Sequence, residues 1–77
     1  MIYNVHYVLN DAQAGEERSY AADSQELIEN HLEPFIAAGT LVSAQVFDPS
    51  GVTIAESRAG APQLRAVPGT MGWVDRD

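Results

Sequence analysis

Residues 23–39 read DSQELIENHLEPFIAAG, and this stretch decides the fold. Leu27, Ile28, His31, Leu32, Phe35 and Ile36 recur at one-turn spacing and form a single apolar stripe. Gln25, Glu26, Glu29, Asn30 and Glu33 point elsewhere, so the segment predicts an amphipathic helix. Asp23 followed three residues later by Glu26 fits a capping box, in which each side chain accepts from an otherwise unpaired amide. Gly39 offers the C-terminal stop. Pro34 removes one helix bond at a cost on the order of 3 kcal/mol, which predicts a kink, or a break into two short helices near Glu33.

Strand-like segments flank this helix on both sides. Tyr3, Val5, Tyr7 and Leu9 alternate with Ile2, Asn4, His6 and Val8, and the first set is expected to face the core. Asn10 to Glu17 reads as a connection, and Arg18 to Ala22, centred on Tyr20, as a second strand returning antiparallel to the first. Leu41 to Phe47 and Val52 to Glu56 read as a hairpin, because Asp48, Pro49, Ser50 and Gly51 supply turn residues in the preferred order. If Val42, Ala44 and Val46 face the helix, Ser43 and Gln45 fall on the opposite sheet face with Asn4 and His6. The expected fold is therefore α+β: a ββαββ domain over residues 1–57, with one helix on one face of a mainly antiparallel sheet.

From Ser57 onward periodicity fades, and Gly60, Pro62, Pro68, Gly69 and Gly72 punctuate the chain too often for a helix or a long strand. Residues 58–77 therefore read as an irregular arm. Its apolar residues are costly to leave in water, and Met71, Trp73 and Val74 are expected to anchor it against the folded part or a neighbouring subunit.

Composition narrows the function classes. The 77-residue chain carries a net charge of −7, and its first 57 residues hold nine of the eleven acidic residues but only Arg18 among the four basic ones, all arginine. A surface of this sign repels nucleic acid and anionic membrane and attracts basic proteins. Tyr3, Tyr7 and Tyr20 could form a base-stacking platform, but no phosphate-tracking cations accompany them, so they are expected to close the core. The absence of cysteine excludes disulfides and thiolate zinc sites. No apolar run reaches the roughly 18 residues of a membrane span, and no secretory pattern opens the chain, so the expected location is cytoplasmic.

Catalytic, metal and cofactor residues are not expected. His6 and His31 form no metal pair, and Glu29 and Glu33 lack any metalloprotease or calcium-loop spacing. Ser19, Ser24, Ser43, Ser50 and Ser57 have no nucleophile-elbow context, and no glycine pattern cradles phosphate. What remains is an acidic set: Glu16, Glu17, Asp23, Glu26, Glu29 and Glu33. These residues either keep the domain soluble or form a carboxylate array that occupies a basic groove on a protein partner.

The expected function is a small acidic, non-enzymatic protein-binding factor. The expected kind is a phage- or mobile-element-type inhibitor of nucleic-acid-binding machinery: small phage inhibitors, anti-CRISPR proteins among them, are similar in size and charge, an analogy of composition and architecture only. For a phage-encoded protein the location becomes the host cytoplasm or the virion. The alternative expectation is a structural assembly subunit, a virion or other particle component, docking through its arm as a homo-oligomer or larger assembly.

Overall fold

The computed structural model describes residues 2–10, 17–58 and 61–75. The chain forms β1 (Tyr3–Leu9), β2 (Glu17–Ala22), α1 (Gln25–Ala38), β3 (Leu41–Phe47), β4 (Thr53–Arg58) and β5 (Ala61–Ala66). The strands make one sheet in the order β2-β1-β3-β4-β5, and every neighbouring pair is antiparallel. Because β2 and β3 both oppose β1, they run parallel to one another across it, and α1 makes the crossover between them. This is the α+β architecture that the helix and strand patterns predict, extended by one strand.

The core lies between α1 and the sheet face that carries Tyr3, Val5, Tyr7 and Leu9. Ile28 and Leu32 descend from the helix onto Val5, Ala44, Val46, Ile54 and Ala55, and all seven are essentially inaccessible to solvent. A register shift opposite Val46 and Phe47 places an extra residue in β4, which lets the successive Ile54 and Ala55 both turn inward. Ser43 and Gln45 pair with Val8 and His6 on the opposite face, as the alternation predicts. There the His6 and Phe47 rings meet edge to face, with centroids 5.0 Å apart.

The turn between β3 and β4 also follows its sequence. Asp48 Oδ1 accepts from the amides of Ser50 and Val52, the Gly51 amide donates to the Asp48 carbonyl, and Gly51 takes the left-handed φ of 89° that a side chain would resist.

Several expectations need correction. The helix N-cap is Ser24, in extended backbone geometry, and its hydroxyl accepts from the Leu27 amide. With the cap one residue later, Leu27 and not Glu26 occupies the position a capping box requires, so no reciprocal box forms. The helix does not break at Pro34: a single element runs from Gln25 to Ala38. Asn30, whose carbonyl Pro34 cannot serve, is exposed, so water can satisfy it at modest cost. Leu27 and Val42 belong to the predicted apolar faces but are exposed, Leu27 because the sheet ends at β2 beneath it.

The largest departure is β5, which lies inside the segment expected to be irregular. Leu64 and Ala66 pack against the core, Ala66 pairs with Ala55, and Arg65 pairs with Glu56. Pro62 is tolerated because β5 is an edge strand, where one face of the backbone needs no ladder donor. The chain then turns through Pro68 and Gly69 (φ 83°) and returns over the core, where Trp73 is buried.

Candidate functional site

The fold divides the acidic residues between two faces. Asp23 and Glu26 are exposed around the first turn of α1, Glu29 is half-buried and accepts from Gln25 Nε2, and Glu33 is exposed one turn further on. Glu17 lies on the far side of the sheet, where its Oε1 sits 2.9 Å from His6 Nδ1. Glu16 lies outside the described residues. The helix thus carries Glu26, Glu29 and Glu33, with Asp23 just before its N-cap, and the sheet separates Glu17 from them.

The helical set carries no compensating charge on its own element, because α1 contains no lysine or arginine. Glu26, in the first turn, is stabilised by the partial positive charge of the helix N-terminus. Glu29 and Glu33 flank a shallow cleft of about 100 Å³ shared with Leu32, Ile36, Gln63 and Leu64. Small-molecule sites usually occupy roughly 300–1,000 Å³, so this cleft suits a single side chain. Among the described residues, no cluster of three or more histidine, aspartate or glutamate side chains could hold a metal ion, and no helix is long and apolar enough to cross a membrane.

The three proposed arm anchors behave differently from one another. Trp73 is 7% exposed and belongs to the core, whereas Met71 and Val74 are 90% and 67% exposed. The tail is held by polar contacts as well: Tyr3 Oη donates to the Gly72 carbonyl at 3.3 Å, and the Ala66 amide donates to Asp75 Oδ1 at 2.7 Å. Trp73 and these two bonds thus hold the segment to its own domain.

A second surface was not legible in the sequence. At the β2 edge, Ile2, Tyr20, Ala21, Ala22, Asp23, Leu27 and His31 line an open groove of roughly 460 Å³. Tyr20 sits at its inner wall, edge to face with Tyr7 and 4.3 Å from the His31 ring centroid. Its hydroxyl is buried without a hydrogen-bond partner among the described residues. Burial, reinforced by the neighbouring Tyr7, pushes its phenol up to about 12. Strand order exposes this groove, and strand order cannot be read from hydrophobic period; the signals present were Leu27 beside Ile28 and the small residues Ala21 and Ala22.

No family model matches this chain, and no curated protein or solved structure shows significant similarity to it.

Proposed function

We propose that this protein is a non-enzymatic binding factor that offers the carboxylates of α1 to a basic protein partner. Within that class, the partner proposed is nucleic-acid-binding machinery, as for a phage- or mobile-element-type inhibitor. The supporting observation is the placement of Glu26, Glu29 and Glu33 on one lysine- and arginine-free helix, with Asp23 just before its N-cap, in a chain with net charge −7. Glu26 to Glu33 spans about 10 Å of helix at 1.5 Å per residue. Three carboxylates over that length approach, more sparsely, the one charge per ~3.4 Å of a single DNA strand. A groove built for phosphates therefore meets charges of the right sign on a comparable scale.

The alternative, an assembly subunit docking through its arm, draws on Met71 and Val74, the exposed apolar residues of the tail. Trp73 is already committed to the protein's own core, so the helix supports the first reading better.

The test reverses Glu26, Glu29 and Glu33 to lysine together. Glu26 and Glu33 are exposed, and such helix charges contribute only tenths of a kcal/mol each, whereas Glu29 is half-buried, so the fold should persist with a modest loss of stability that circular dichroism of the variant checks. Capture of basic nucleic-acid-binding proteins from a host lysate should be strong at low salt, weak at high salt and lost in the variant. Undiminished capture by the triple variant would exclude α1 as the binding face.

A further inference from the structure

The two edges of the sheet are not equivalent. On the β5 edge, Pro62 lacks an amide donor and the Ala66 amide is already taken by Asp75 Oδ1 at 2.7 Å. Proline and side-chain capping are devices that keep a sheet edge from pairing with another chain. β2, the opposite edge, contains no proline, and its residues Ser19 to Ala22 are uncharged. Alongside it runs the groove in which Ile2 and Leu27 are 52% and 53% exposed.

The two sides of this edge differ in chemistry. Tyr20 and Ala22 oppose Val5 and Tyr3 and so share the helix side, beneath Leu27. Glu17 and Ser19 oppose Val8 and His6 on the uncovered side, and Asp23 follows just past the end of β2, so a carboxylate stands at each end of the strand. Arg18, on the helix side, is already engaged within the protein.

We infer that the outer edge of β2 accepts an extended segment of a basic partner protein by strand addition, with apolar side chains over Ala22 and Leu27 and alternate cationic ones toward Glu17 and Asp23. Backbone pairing supplies the affinity of such a complex, and the alternation of side chains supplies its specificity. A second copy of this chain fits the edge poorly. Antiparallel pairing of two β2 strands centred on Tyr20 sets Glu17 of each opposite Asp23 of the other, and like charges directly opposite are destabilising. The inference rests on the reading of the chain as an acidic protein-binding factor, but it assigns the contact to a surface separate from the α1 glutamates.

The probe is a synthetic eight-residue peptide of alternating valine and arginine, titrated into the full-length protein by 15N NMR. A second peptide carries N-methyl groups on its four central residues, which keeps charge and side chains but removes backbone donors. The first peptide should shift and protect the amides of residues 17–22, the methylated one should bind at least tenfold more weakly, and Glu26→Lys/Glu29→Lys/Glu33→Lys should still bind the first through β2. A loss on methylation smaller than tenfold, or shifts confined to α1, overturns strand addition and leaves the acidic-helix reading standing. No binding of either peptide also overturns it, while the lysate experiment tests the acidic helix separately. A dimer in sedimentation that Leu27→Glu dissociates would assign the edge to a second copy and overturn the partner named here.

Discussion

Gln25 and Val74, 49 residues apart, are joined at two points: the Val74 amide donates to Gln25 Oε1 at 3.0 Å, and Gln25 Nε2 donates to the Val74 carbonyl at 2.7 Å. A side-chain amide here mimics one rung of a strand ladder and ties the tail to the first residue of α1. Gln25→Ala should therefore destabilise the protein by about 1 kcal/mol, the net value of such exposed bonds. Faster hydrogen exchange at Val74 should accompany the loss. Gln25→Glu keeps the acceptor but sets a carboxylate oxygen against the Val74 carbonyl and Glu29 Oε2, so it should cost at least as much as Gln25→Ala.

The tie holds Trp73 in place, and this residue carries the larger energy. Trp73 is the single tryptophan and is 7% exposed, so Trp73→Ala should cost about 3–5 kcal/mol. A domain of this size has total stability of similar order, and substantial unfolding at 37 °C is expected. In the parent, tryptophan emission should be blue-shifted and should move red on denaturation in step with far-ultraviolet circular dichroism. Emission like that of free tryptophan in the native protein would contradict the packing. Removing residues 58–77 deletes both Trp73 and β5, so that truncation should also destabilise residues 1–57.

What the sequence disclosed follows the strength of its periodicities. β1 and α1 are long enough for their apolar residues to define a face, and the Asp48-Pro49-Ser50-Gly51 turn carries its own local chemistry, so these elements were legible. β5 was not, because Leu64 and Ala66 alternate with Gln63 and Arg65 for only four residues beside Pro62 and Gly60. At an edge such breakers are compatible with a strand, and only strand order reveals the edge. The acidic set shows the same limit: Glu17 and Glu26 are close in sequence, yet one lies on the uncovered sheet face and the other on the helix.

The apolar stripe of α1 also separates into residues that hold the fold and residues that do not. Leu32 is fully buried, whereas Leu27 is 53% exposed above the β2 edge. Leu32→Ala should lower stability by about 2–5 kcal/mol. Leu27→Ala should stay within about 0.5 kcal/mol of the parent. Urea denaturation of the two variants checks this, and equal losses would show that Leu27 is covered in solution.

Tyr20 provides a test that depends on pH. Its hydroxyl is buried without a partner among the described residues, and a polar group in that state contributes no hydrogen bond while costing desolvation. Tyr20→Phe keeps the edge-to-face contact with Tyr7 and should leave the melting temperature at pH 8 unchanged or higher. The phenol is raised from 10.0 to about 12 in the folded protein, chiefly by burial. Between those values the unfolded chain releases the Tyr20 proton while the folded chain retains it, so this residue's contribution is intact below pH 10 and is lost as pH rises through 12. Tyr20→Phe has no such proton to lose. The stability difference in favour of the variant should therefore widen between pH 9 and pH 11, as measured by paired urea titrations. A variant destabilised by more than about 1 kcal/mol at pH 8, with no change in that difference at pH 11, would show that the hydroxyl is hydrogen-bonded and ionises freely, contrary to the packing described.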